Sequence, residues 1–119
     1  MAKVDMYEWP LWEQEKHCMK MLDTALAECR SRGKAMVALE AAYYSAKDRE
    51  AFAMLEAGYA NTFIQTVIKG RPKVSEAMMK FHEAEVLYKN AVEAVNVYKL
   101  QLRSLESEIE REWNAQNRM

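Results

Sequence analysis

Across Val74–Ile109, VSEAMMKFHEAEVLYKNAVEAVNVYKLQLRSLESEI, apolar side chains recur at Val74, Ala77, Phe81, Ala84, Tyr88, Ala91, Val95, Tyr98, Leu102, Leu105 and Ile109. The steps alternate three and four without a fault, which is the a/d seam of a helix that packs lengthwise on another helix. A helix over about 73–115 would be roughly 64 Å long. A compact globule of this chain length has a radius of gyration of only about 14 Å. The spacing therefore predicts an all-α, long antiparallel helical hairpin, coiled-coil-like and rod-shaped, with this stretch as helix C.

Immediately before it stands Gly70–Arg71–Pro72, the strongest break in the chain. A glycine there suits a helix C-cap, and the proline cannot continue the preceding helix. Helix B is expected over about 34–57, with the stripe Met36, Leu39, Tyr43, Ala46 and Ala53 interrupted by Glu50. Gly58 reads as a kink, followed by a continuation over 61–69 in which Asn61 or Thr62 supplies a cap. Counting outward from a turn at 70–72 pairs Ala60 with Phe81, Ala53 with Tyr88, Tyr43 with Tyr98 and Leu39 with Leu102. Further back, Arg30–Ser31–Arg32–Gly33 reads as the end of helix A, which starts near Pro10 and carries Leu11, Cys18, Leu22, Ala25 and Cys29 on one face. Helix A is then a shorter N-terminal helix that turns back at Gly33 and packs on the B/C pair. The 119 residues make one helical domain.

Composition agrees with this class. Only 3 Gly and 2 Pro are present, too few for a turn-rich β fold, and half the residues are hydrophobic, too many for a disordered chain. The formal net charge of -1 excludes a surface that is basic throughout and built for duplex DNA. Cys18 and Cys29, eleven residues apart on one helix, lie about 16 Å apart along its axis, too far to bridge, and read as reduced core thiols. No leader-like apolar region opens the chain and no run approaches a membrane span, so the expected location is the cytoplasm of a bacterial host, with no membrane partner.

Motifs that carry chemistry are missing from the sequence. It contains no Glu-x-x-His pair for a di-metal bundle, no Glu-x-x-Glu pair for magnesium, no phosphate-cradling glycine loop, no G-x-S-x-G elbow and no Cys-x-x-Cys pair. His17 and Cys18 are neighbours, but adjacent residues point about 100° apart on a helix. His82, beside Glu83 and Glu85, belongs to an outer face. The expectation is a protein that is not an enzyme and has no catalytic residue, cofactor or metal.

Two surfaces remain. Helix C carries a second apolar set, Met79, Val86, Leu87, Ala94, Val97 and Leu100, that neither helix B nor a half-length helix A covers. With Trp113, expected to overhang the end of helix B, it forms a candidate interface for a homo-oligomer or a partner protein. Lys69, Arg71 and Lys73, with Lys80 nearby, crowd the B/C turn with no acidic neighbour in sequence. Tyr7, Trp9 and Trp12 cluster at the start of helix A and, if A runs antiparallel to B, lie near Tyr59. Lys69, Arg71, Lys73, Trp9, Trp12 and Tyr59 are thus candidate contacts for an anion or single-stranded nucleic acid. The basic group Arg30, Arg32 and Lys34 is expected at an A/B turn, facing the glutamates at 106–112.

The stretches Ala41–Lys47 (AAYYSAK), Glu56–Thr62 (EAGYANT), Ala84–Ala91 (AEVLYKNA) and Leu105–Trp113 (LESEIEREW) together resemble small helical proteins encoded in the early, recombination-associated regions of bacteriophages and prophages. The resemblance covers about residues 35–115. It implies an accessory protein and assigns no catalytic residue. On these grounds the expected function is self-association and binding of a host or phage protein, as an inhibitor or adaptor. The alternative is an accessory that binds single-stranded nucleic acid in phage recombination or replication.

Overall fold

The computed structural model describes residues 8–117, so Tyr7 of the expected aromatic cluster lies outside the described residues. The chain is an all-α antiparallel hairpin of two long helices. Helix α1 runs Leu11–Glu56, α2 is Asn61–Val67 with a single 3-10 turn after it at Ile68–Gly70, and α3 runs Pro72–Asn117. Among the described residues no helix is long and apolar enough to cross a membrane.

Helix α3 follows the seam read from sequence. Val74, Ala84, Ala91 and Val95 are buried, and Ala77, Phe81, Tyr88, Tyr98, Leu102, Leu105 and Ile109 are half-buried. Pro72 occupies the first helical position, where its missing N–H leaves nothing unsatisfied. The Ser75 N–H donates to Arg71 O at 2.8 Å to close the first turn.

Helix α1 departs from the sequence reading in its middle. The chain does not turn at Gly33, and the segments expected as helices A and B are one continuous helix. Gly33 is inside it for reasons of packing. A Cβ at this position would stand 3.3 Å from Tyr88 Cε2, so the bare backbone receives the Tyr88 ring. The pairing of a large residue with a small one is as expected, but the small partner of Tyr88 is Gly33 and not Ala53. The seam of α1 runs Leu11, Gln14, Cys18, Met21, Ala25 and Cys29, then Met36, Leu39, Tyr43, Ala46, Glu50 and Met54. Gln14 and Met54 are buried members that the sequence reading left out, while Ala53 is exposed. From Met21 to Ala25 to Cys29 the seam takes two four-residue steps in succession, a stutter in the heptad pattern that recurs at Ala46, Glu50 and Met54.

The end of α1 sets the helix register. Gly58 has φ +92°, its N–H donates to Leu55 O at 3.0 Å, and the Tyr59 N–H donates to Met54 O at 3.1 Å. This is a Schellman closure, in which a left-handed glycine satisfies the last carbonyls. Gly58 is therefore a full stop and not a kink, whereas Gly70 sits in the 3-10 turn without a positive φ. Ala60, in extended conformation, takes the N-cap of α2, and neither Asn61 nor Thr62 caps it. Helix α2 does not prolong α1 but forms a cap over the end of the pair. Ile64, Ile68 and Val74 are fully buried and join Met54 and Tyr43 in the main apolar cluster, with Ala51, Val67, Ala77, Met78 and Phe81 at its edge. Because the connection absorbs this whole segment, the register differs from the one counted out from 70–72. Phe81 stacks on Tyr43, with centroids 6.1 Å apart, and Tyr98 meets Cys18 in place of Tyr43.

The described residues group into two compact units, a turn unit of Arg30–Asn90 and a terminal unit made of the chain up to Cys29 and from Ala91 onward. Each contains one stretch of α1 and one of α3.

Three substitutions probe this account. Ile64→Ala should destabilise the protein by about 3 kcal/mol, since it removes a fully buried side chain from the cap. Gly58→Ala should cost about 1 kcal/mol because its φ disfavours a Cβ. Gly33→Ala should change stability by less than about 0.5 kcal/mol, the helix-propensity gain being offset by the shift that a Cβ forces on the half-buried Tyr88 ring. Denaturant midpoints measured by circular dichroism check all three.

Candidate functional site

In the terminal unit the polar side chains have local work. The Gln14 Nε2 amide, on a buried side chain, donates to Trp9 O at 2.8 Å and fastens the residues before α1 onto its first turn. The Glu13 and Gln14 N–H groups share Pro10 O. His17 and Trp9 meet in a T-shaped contact with centroids 5.6 Å apart. The Cys18 thiol donates to Tyr98 O at 3.4 Å, and burial pushes its pKa up. A groove of about 300 Å³ runs past Gln14, His17, Cys18, Tyr98, Ser104 and Glu108. The chemistry it offers is hydrogen bonding beside an inert thiol, since a protonated, desolvated sulfur is a poor nucleophile. Among the described residues no three His, Cys, Asp or Glu gather as a metal site.

The six residues expected to contact an anion or nucleic acid are divided between the units. Trp9 and Trp12 belong to the terminal unit, where they line a groove with Leu11, Ile109 and Glu112. Tyr59, Lys69, Arg71 and Lys73 belong to the turn unit. The expectation that the tryptophans lie near Tyr59 depended on a chain reversal at Gly33, and α1 does not reverse there. Trp9 is half-buried, and Trp12 is exposed with Lys16 Nζ 5.4 Å from its ring centroid. Tyr59 stacks on Phe63 with centroids 5.5 Å apart.

The tip of the hairpin also has an acidic neighbour that sequence distance concealed. Arg71 Nε donates to Glu50 Oε2 at 3.4 Å, pinning the start of α3 to α1. Lys80 pairs with Glu76 at 3.3 Å on the same helix face. Lys69 and Lys73 are exposed. On the outer face of α3, His82 stacks on Phe81 and lies 3.8 Å from Glu85. With no A/B turn, Arg30, Arg32 and Lys34 are positions along a continuous helix, and Arg32 lines a groove with Ala35, Leu39, Glu83 and Leu87.

The second apolar set of α3 is exposed in both units. Met79 (68% exposed), Val86 and Leu87 face outward in the turn unit, and Val97 and Leu100 (63%) do so in the terminal unit, where Ala94 is half-buried. Trp113, also in the terminal unit, is exposed. Isolated exposed apolar residues are ordinary, but large ones repeated along one helix mark a contact surface.

Helix α1 adds a surface that the sequence reading missed. Val37, Tyr44, Phe52 and Leu55 are exposed on it. The available signal was AMVALEAAYYSA, residues 35–46, in which Glu40 is the single charged residue across more than three helical turns. A surface helix normally shows charge on its outer side.

The difference between the two thiols is measurable. In the folded protein Cys29, which is half-buried, should react with a disulfide reagent about tenfold faster than Cys18, and the difference should vanish in guanidinium. Mass spectrometry of the partly labelled protein reads the order of reaction. Comparison of the chain with protein-family models, with curated proteins and with solved structures gives no match.

Proposed function

We infer that this is a non-enzymatic helical accessory protein that self-associates and acts by binding another protein, as an inhibitor or adaptor. The observation that carries the reading is the exposed apolar row of α3. The expected third helix would have covered part of that row, but its residues are the first half of α1 and lie in the seam of the hairpin. Among the described residues, large apolar side chains are therefore on the surface and no helix is left to cover them. An interface of this kind, large apolar side chains interrupted by Glu93 and flanked by charged residues such as Lys89 and Arg103, is typical of protein recognition. The resemblance to small phage and prophage proteins supports a host or phage protein as the partner and the bacterial cytoplasm as the place of action.

The alternative, an accessory for single-stranded nucleic acid, is supported by exposed Lys69, Lys73 and Trp12. It is weakened by the Arg71–Glu50 pair, which offsets the charge of the tip.

Two measurements test the reading. Sedimentation over micromolar concentrations should give a species larger than the monomer, and the purified protein should retain a partner from phage-infected cells. Val86→Asp with Leu100→Asp should abolish that capture while leaving the melting midpoint within about 2 °C, because surface substitutions have little effect on folding. A monomeric protein that captures nothing would overturn the proposal. A gel shift with single-stranded DNA at low salt that is lost in Arg71→Glu would favour the alternative.

A further inference from the structure

We propose that the copies of this protein pair through the back of α1, two antiparallel α1 helices meeting about a two-fold axis at Ala41. The proposal deepens the self-association part of the reading above and leaves the α3 row for the partner protein.

The surface concerned consists of Lys34, Val37, Ala38, Ala41, Tyr44, Ser45, Asp48 and Phe52, all exposed. Their spacing of three and four places them on one face of α1, away from the seam residues Met36, Leu39, Tyr43 and Glu50. Tyr44 is held by stacking on Tyr43, with centroids 5.2 Å apart, so its ring is already positioned.

The face matches itself when reversed about Ala41, and this self-complementarity selects a second copy as its occupant. Tyr44 of one copy then meets Ala38 of the other, and Val37 meets Ser45, so that each large side chain faces a small one. Ala41 meets Ala41, which permits the close approach that a helix pair centred on small side chains allows. The charged ends match as well. Lys34 meets Asp48, and Phe52 meets Arg30, a cation over a ring. A parallel pairing would set Lys34 on Lys34, Asp48 on Asp48 and Tyr44 on Tyr44. Three heptads of helix pair is a small interface, so the expected dimer is a weak one.

The test uses the full chain with Cys29→Ser to remove the accessible thiol. Under mild oxidation Ala41→Cys should give a disulfide-linked dimer, because the two residues meet on the axis. Ser45→Cys should not, because the two sulfurs would be about 12 Å apart along the helix, beyond the roughly 7 Å Cα separation a disulfide spans. In sedimentation, Lys34→Asp should weaken the dimer at least tenfold, and Lys34→Asp combined with Asp48→Lys should restore it. Ala41→Glu should give a monomer with an unchanged helical melt. Equal cross-linking at positions 41 and 45, or a charge-swapped chain no better than Lys34→Asp, would overturn the proposal. A dimer that survives Ala41→Glu but is lost with Leu100→Asp would overturn this interface while sparing the reading above, whereas a monomer in the unaltered chain would overturn this proposal together with the self-association part of that reading.

Discussion

The register of the whole hairpin depends on how α1 ends. Two backbone hydrogen bonds, from Gly58 and Tyr59 to the carbonyls of Leu55 and Met54, require a residue in the left-handed region at position 58. Once they form, the next residues leave the helix axis, and Ile64 and Ile68 are delivered to Met54, Tyr43 and Val74. Had the helix run on to Gly70, each residue of α3 would face a different part of α1. Tyr88 would then have no glycine beside it, and Phe81 no Tyr43.

Away from that cap the seams are built from small or partly covered residues. Gln14, Cys18, Ala25, Ala84, Ala91 and Val95 are the buried ones, and the fully buried large side chains are Ile64, Ile68 and Val74, all at the capped end. Two helices offer each other one stripe apiece, so everything beyond those stripes meets water or another molecule. This is why Met79, Val86 and Leu100 on α3, and Val37, Tyr44 and Phe52 on α1, are exposed in a chain that is half hydrophobic. The composition suits a protein that completes its burial by association.

Helix α3 was legible residue by residue, because a strict seven-residue repeat has one solution on a helix and no glycine or proline interrupts it. Gly33 misled because glycine after a basic run has the chemistry of a helix end, and only the position of Tyr88 across the seam explains it as an interior residue. Gly70, followed by Pro72, reads as the stronger break, yet it is Gly58 that ends the long helix. The choice between them rests on whether the following segment packs along the helix or across its end, a tertiary matter. The Glu50–Arg71 pair spans 21 positions and depends on the same choice. For the candidate surfaces, the α3 row could be read from periodicity alone. The α1 face was hidden because alanine registers weakly on any hydrophobic scan, and its significance lies in the charge missing around it.

The stutter at Met21–Ala25–Cys29 bears on how such a chain can change length. Removing one residue from a helical seam turns everything beyond it by about 100°, and removing seven restores the original phase. Growth or shortening by whole heptads, taken from both strands together, would preserve the fit of α1 on α3. The four-residue step shifts the phase of the α1 seam without a break in the helix. That position, close to where the two units divide, is the natural place for duplication or grafting of segments, while the capped end, with Gly58 and Ile64 locked together, would resist both.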